Sequence, residues 1–349
     1  MIDVKTTAYL IIFILVLITA QPALPCSGVF MNKDGVRIIG RTNDWPLGKG
    51  NVVIRQHGKN ITADPLNDGS KRIKWTSKYN SAAFYTEGKF SWFIKLMTRL
   101  MGMNTAAPNC GLNEKGLWVG AFWIHPPPEV KYPPKDGRIS INDYQVQEYL
   151  LDTSASVAEA LKNLGKVRVS GFKSGGFEVD VHWFMADASG DSAIIEFPDG
   201  KMRVHRNPDI KVITNSFYEH SREYAKDFKG FGGTKPVPMA KGEMTSENRF
   251  VFASSALMDS ENRNKLTRND VFNIMKTVTQ TNIRHQVTSQ SITQWTAVYD
   301  LKARTLSWTS RTSPQIKTIN LSKLDLSKPG RSKKIDFNTP LSGDITGKI

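Results

Sequence analysis

CSGVFMNKDGVRIIGRTNDW, residues 26–45, is the stretch whose reading decides the fold. Two runs rich in β-branched and aromatic residues, CSGVFMN (26–32) and VRIIGRT (36–42), flank Lys33-Asp34-Gly35, and Asp-Gly between such runs signals a β-hairpin. The chain before it has a different character. Lys5 is followed by an apolar run from Ala8 to Ala20 and then by QPALP, the charged and apolar regions of a secretory leader. The run is short of the about 20 residues that a membrane span needs, so a retained anchor is the weaker reading. Pro25 stands where a lipoprotein carries a small residue before its modified cysteine. Residues 1–25 are therefore expected to leave, by a cut after Ala20 or Ala23 and autocatalytic trimming to Cys26. The product would be a periplasmic or secreted protein with no stable membrane span, opening on a strand whose first residue is Cys26.

Downstream, NVVIRQ (51–56) continues the β character and 57–80 is polar and turn-rich. Residues 89–104, KFSWFIKLMTRLMGMN, have the spacing of a core-facing or lid helix. LWVGAFWI (117–124) reads as a buried strand that must stop at the prolines 126–128. From Asp143 to Leu164 the pattern predicts two helical pieces, the second capped by Ser156 with Glu159 three residues on. HWFMAD (182–187), SAIIEF (192–197), KMRVH (201–205) and DIKVITN (209–215) predict one antiparallel meander. Residues 226–245 read as a loop, and Thr267-Arg268-Asn269-Asp270 as a capping-box start to a helix. TQWTAVYDL (293–301) and TLSWTSR (305–311) are two further strands. Strands interspersed with helical pairs favour an α+β domain with antiparallel sheets over a doubly wound one. That domain covers 26–321, with 322–349 a basic, partly disordered C-terminal extension.

With 349 residues, 40% of them hydrophobic, the chain has enough apolar material for a large core. The net charge is +15, and the leader region's Asp3 and Lys5 cancel, so the mature chain keeps all of it. An exported protein without a finger, zipper or RNA-binding signature is not read as a nucleic-acid binder. HExxH, CxxC, GxxxxGK[ST] and GxSxG are all absent from the sequence, which removes the corresponding metal, P-loop and hydrolase-elbow readings. No cofactor or metal is expected. The six histidines are scattered and nominate no general base.

Only two cysteines occur, Cys26 and Cys110, and in an oxidising compartment a structural disulfide is the default for such a pair. The position of Cys26 argues otherwise. A cysteine at a chain start carries an α-amine of pKa roughly 7.7–8.0 that can act as base for its own thiol. Such a site needs a cation near the sulfur and an acceptor for the amine. Arg41 and Asp44, on the strand paired with that of Cys26, supply both.

These residues resemble the opening of the choloylglycine hydrolase and penicillin V acylase family of N-terminal-nucleophile cysteine hydrolases. GLNEKGLWVGAFW (111–123), ITNSF (213–217), SENRF (246–250) and TQWTAVYDLKARTLSW (293–308) fall in that family's order. The resemblance implies a four-layer αββα sandwich and hydrolysis of a linear, non-peptide amide in a small N-acyl compound. It implies Cys26 as nucleophile, Arg41 and Asp44 holding the thiol and amine, Asn215 and the backbone N–H near Trp123 as oxyanion donors, and Arg249 completing the network. Trp45 and Trp123 stand where the exported Gram-negative branch carries tryptophan, implying an aromatic wall for the acyl group. Penicillin V and N-acyl homoserine lactones are then the leading substrates, with conjugated bile salts third, and a homotetramer is an assembly the resemblance allows. The alternative of another class is a non-catalytic envelope binding protein with a Cys26–Cys110 disulfide.

Overall fold

The computed structural model describes residues 25–45, 48–86, 108–124, 130–174, 177–178, 180–238, 245–263, 266–280 and 292–349. The leader up to residue 24, the helix read at 89–104, the prolines 126–128 and part of the 226–245 loop lie outside these residues.

The hairpin forms where it was read. β1 (Cys26–Lys33) pairs antiparallel with β2 (Val36–Trp45), with Cys26 opposite Asn43 and Gly28 opposite Arg41. Asp34 and Gly35 turn with φ of 48° and 82°, the left-handed pair that matches a two-residue loop to the strand twist. The strands of the two large sheets that follow are β3 (Gly50–Arg55), β4 (Ser81–Thr86), β5 (Pro108–Asn113), β6 (Trp118–Trp123), β7 (Val181–Ala186), β8 (Ser192–Glu196), β9 (Arg203–Arg206) and β10 (Val212–Ile213). After them come β11 (Ile292–Asp300), β12 (Thr305–Ser310), β13 (Lys317–Asn320), β14 (Ser332–Asp336) and β15 (Gly343–Asp344). They build two sheets, one of seven strands in the order β10-β1-β2-β11-β12-β13-β15 and one of eight in the order β9-β8-β7-β6-β5-β4-β3-β14. Within these sheets only β13 and β15 pair in parallel.

Helices α1 (Val146–Thr153) and α2 (Val157–Leu164) are the two predicted pieces, and the Ser156 side chain accepts from the Glu159 N–H as its cap. α3 (Tyr218–Ala225), α4 (Ser246–Glu261) and α5 (Arg268–Thr277) are the other α-helices among the described residues, with α5 opened by the predicted Thr267–Asp270 capping box. The two sheets meet face to face. Phe84 on β4 stacks on Trp295 of β11 with ring centroids 4.1 Å apart, and Trp118 of β6 lies 5.8 Å from Tyr299. Glycines let the layers approach: a Cβ at Gly28 would sit 2.7 Å from the Phe122 ring across the sandwich, and one at Gly40 would sit 2.5 Å from Val271 of α5. α4 and α5 cover the outer face of the seven-stranded sheet and α1 that of the other, where Leu150 and Leu151 are fully buried. The chain therefore has the αββα sandwich of N-terminal-nucleophile hydrolases, and burying each such side chain contributes about 1.5–3 kcal/mol.

Two expectations are corrected. DIKVITN does not extend the meander β7-β8-β9: after Asn207, at φ 49°, the chain crosses to the other sheet, where β10 pairs with β1. Residues 322–349 are not a loose tail, for β14 adds to β3 at the edge of one sheet and β15 to β13 at the edge of the other.

Candidate active site

Cys26 begins β1 with 2% of its surface exposed. Side chains alternate along a strand, so Cys26 shares with Gly28 the face turned toward the eight-stranded sheet. Arg41, opposite Gly28, shares it too. Its Nη2 reaches to 3.9 Å of Cys26 Sγ and donates to Ala121 O at 2.6 Å, while Nη1 donates to Asn109 O at 2.8 Å. The guanidinium thus ties β2 to β5 and β6 and lies 4.3 Å over the Phe122 ring.

Asn215 arrives through the crossing of β10. Antiparallel pairing keeps the sum of partner numbers constant, so 28 opposite 213 continues to 26 opposite 215. The Cys26 N–H donates to Asn215 Oδ1 at 2.7 Å. Arg249, from α4, grips both strands: Nη2 donates to Asn215 Oδ1 at 2.6 Å, and Nη1 to Cys26 O at 2.6 Å and Ser27 Oγ at 2.7 Å. The Asn215 amide nitrogen donates to Trp123 O at 2.7 Å, and its backbone N–H to Ser246 Oγ at 2.9 Å.

Asp44 is fully buried. Its backbone N–H donates to Pro25 O at 3.2 Å, and its Oδ1 accepts from Thr293 Oγ1 at 2.5 Å. Its Oδ2 has no hydrogen-bond partner among the described residues. Burial lifts the carboxyl to about 7 against the pull of Arg249, the Thr293 hydroxyl and Arg41. Burial also pushes the Cys26 thiol up, with Arg41 the strongest opposing influence and the Asp44 charge adding to the rise. Arg41 acts in the expected direction, but desolvation outweighs it.

Cys26, Arg41, Asp44, Asn215 and Arg249 therefore converge. Trp45 and Trp123, both half-buried, face each other with centroids 6.0 Å apart. Cys26 and Cys110 are both free thiols, Cys110 Sγ lying 3.2 Å from the Tyr299 hydroxyl, so the disulfide of the binding-protein alternative is not formed. Thr293 was missed, although it lies in a block quoted for the resemblance: it accepts the Gln280 N–H at 2.8 Å and fixes which Asp44 oxygen is engaged. Asn43 and Asn109, joined at 3.3 Å behind Arg41, had no separate signal. Among the described residues no cluster of three His, Cys, Asp or Glu side chains is arranged to hold a metal ion.

Residues 26–340 match the family model of linear amide C–N hydrolases of the choloylglycine hydrolase family. The chain is 27% identical over 310 residues to penicillin V acylase of Pectobacterium atrosepticum, covering 80% of this chain and 77% of that one. It is 26% identical over 204 residues to a bile salt hydrolase/transferase of Clostridium perfringens, covering 55% and 53%. The solved penicillin V acylase of Agrobacterium tumefaciens superposes with a TM-score of 0.69 at 26% identity, over 91% of this chain and 94% of that one. A mutant conjugated bile acid hydrolase of Clostridium perfringens shares the fold at TM-score 0.71 and 20% identity, over 89% and 96%.

Proposed function

The chain belongs to the choloylglycine hydrolase family of linear amide C–N hydrolases, and from that premise we propose that Cys26 is its nucleophile, acting on small N-acyl amides of the penicillin V type. The observation that carries the reading is the position of the Cys26 nitrogen, 2.7 Å from Asn215 Oδ1, on the residue whose sulfur Arg41 approaches to 3.9 Å. Removal of the chain through Pro25, in an exported protein, turns that nitrogen into an amine. The match to the family model starting at Cys26 supports this.

The amine takes the thiol proton, and the buried guanidiniums of Arg41 and Arg249 favour its neutral, basic form. The sulfur attacks the amide carbonyl. The Asn215 side-chain amide and the backbone N–H near Trp123 are assigned as the two donors to the oxyanion. The α-ammonium returns its proton to the leaving amine, the C–N bond breaks, and water then hydrolyses the thioester with the same amine as base. Asp44 Oδ2, which has no hydrogen-bond partner among the described residues, is assigned as a further acceptor for the amine. Trp45 and Trp123 wall the acyl side, and the greater length matched to a penicillin V acylase than to a bile salt hydrolase favours the aryl-acyl assignment.

The test is a turnover panel on the protein with its N-terminus verified by intact mass. Penicillin V is compared with N-acyl homoserine lactones of rising chain length and with glycine- and taurine-conjugated bile salts. Fastest turnover of penicillin V is expected, and preference for another acyl group moves the substrate assignment alone. Cys26→Ser should lose nearly all turnover on every amide; full turnover, or full activity with Pro25 retained, refutes the nucleophile.

A further inference from the structure

His182 is one of the six histidines that nominate no general base in the sequence. It is fully buried on β7, its ring edge-on to Phe122 of β6 with centroids 6.2 Å apart. Its Nδ1 lies 2.8 Å from Glu196 Oε1 and its Nε2 lies 3.0 Å from the Thr214 carbonyl oxygen. A carbonyl has no proton to give. Glu196 is itself fixed: Oε1 also accepts the Tyr218 N–H at 2.8 Å, and Oε2 faces His205 Nε2 at 3.2 Å. The Nε2 nitrogen therefore carries the N–H that the Thr214 oxygen accepts.

The oxygen that His182 Nε2 meets belongs to the peptide whose N–H is that of Asn215. Ser246 Oγ takes that N–H at 2.9 Å, so the planar peptide before Asn215 is held at both ends, by the eight-stranded sheet on one side and by α4 on the other. We infer that His182, donating from Nε2 to the Thr214 oxygen and braced at Nδ1 by Glu196, is a positioning residue for Asn215; this rests on the assignment of Asn215 to the oxyanion. The chain of contacts runs outward from Glu196 to His205, whose Nδ1 is 3.4 Å from the half-exposed Glu219. The other charged or titratable groups around it are Arg222, paired with Glu219, the Tyr218 phenol, lifted to about 12 by burial, and Arg41 against the Phe122 ring.

The test uses the mature enzyme labelled with ¹⁵N-histidine. Long-range proton–nitrogen correlation, with His182 assigned by its loss in His182→Gln, should show Nε2 as the protonated nitrogen facing Thr214. An unprotonated Nε2 signal from His182 overturns the inference. In kinetics, His182→Phe removes the donor to the Thr214 carbonyl, and kcat should fall about tenfold or more, short of the about 10²–10³-fold set for an oxyanion donor itself, with KM within about twofold. His182→Gln keeps a donor for the Thr214 carbonyl and should recover most of the lost kcat, which a packing role would not do. Full kcat in His182→Phe, a loss carried by KM, or no recovery in His182→Gln overturns the positioning role. If His182→Phe does not fold, the spectrum and the His182→Gln kinetics decide. Asn215→Ala separates the two claims: full kcat there sinks the oxyanion assignment and this inference with it, whereas a loss there beside full kcat in His182→Phe sinks this inference alone.

Discussion

Replacing Arg41 by methionine keeps an unbranched stem over Phe122 and removes the cation 3.9 Å from Cys26 Sγ. Unit charges about 4 Å apart at an effective dielectric of about 20 interact by about 4 kcal/mol. At about 1.36 kcal/mol per tenfold change, losing that attraction raises the thiol further, on top of the rise that burial already imposes. The thiolate fraction at neutral pH then falls about 10³-fold, and with a Brønsted slope of about 0.4–0.5 the more basic thiolate recovers about 20-fold of it. Alkylation of Cys26 should therefore slow about 50-fold at pH 7. The assay is the iodoacetamide rate constant from pH 5 to pH 10, with Cys26 followed by mass spectrometry. It is run in a Cys110→Ala background, because Arg41 also draws the Cys110 thiol down against burial. The carbonyls of Asn109 and Ala121 lose their donors, a cost of about 1–3 kcal/mol each, so melting curves accompany the rates. Arg41→Lys retains the charge and should slow labelling less. A pH–rate profile for Arg41→Met that overlays the wild type refutes the electrostatic role of Arg41.

Asn215→Ala should lower kcat about 10²–10³-fold, roughly 3–4 kcal/mol of transition-state stabilisation, with KM changed little in steady-state assays. Thr293→Val removes the hydroxyl that lowers Asp44; the acid limb of kcat/KM against pH should move upward, and an unmoved limb removes Thr293 from the site. Away from the site, burial lifts the Asp143 carboxyl to about 8 against hydrogen bonds from the Phe172 and Tyr144 N–H groups and the Tyr132 hydroxyl. A folded value above the unfolded value of about 3.9 means stability is lost as pH rises between them, by up to about 1.36 kcal/mol per unit. Relative to Asp143→Asn, the wild type should lose stability from pH 5 to pH 8 in urea titrations, and a flat difference contradicts the burial argument.

The hairpin, both helix caps and the placement of Cys26 beside Arg41 and Asp44 were legible because each is local. A two-residue turn at Asp34–Gly35 fixes the register of everything on β1 and β2, and a cap is a contact across three residues. The resemblance supplied Asn215 and Arg249 by position in ordered blocks, without saying what either would touch.

The linear chain thus determined which strand opens the fold, which side chains share its inner face and which nitrogen lies beside the sulfur. Only the folded sandwich decided the rest. The crossing of β10, which brings Asn215 to a residue 189 positions away, depends on which sheet edge accepts the strand, and no local pattern encodes that. β14 joins its sheet with Ile335 as its one buried residue, so it carries no alternation to read. The upward shift of the Cys26 thiol and the paired acceptors around His182 follow from burial and from oxygens contributed by distant elements. Desolvation and hydrogen-bond satisfaction are properties of a three-dimensional surrounding, and they come into being when the two sheets close on each other.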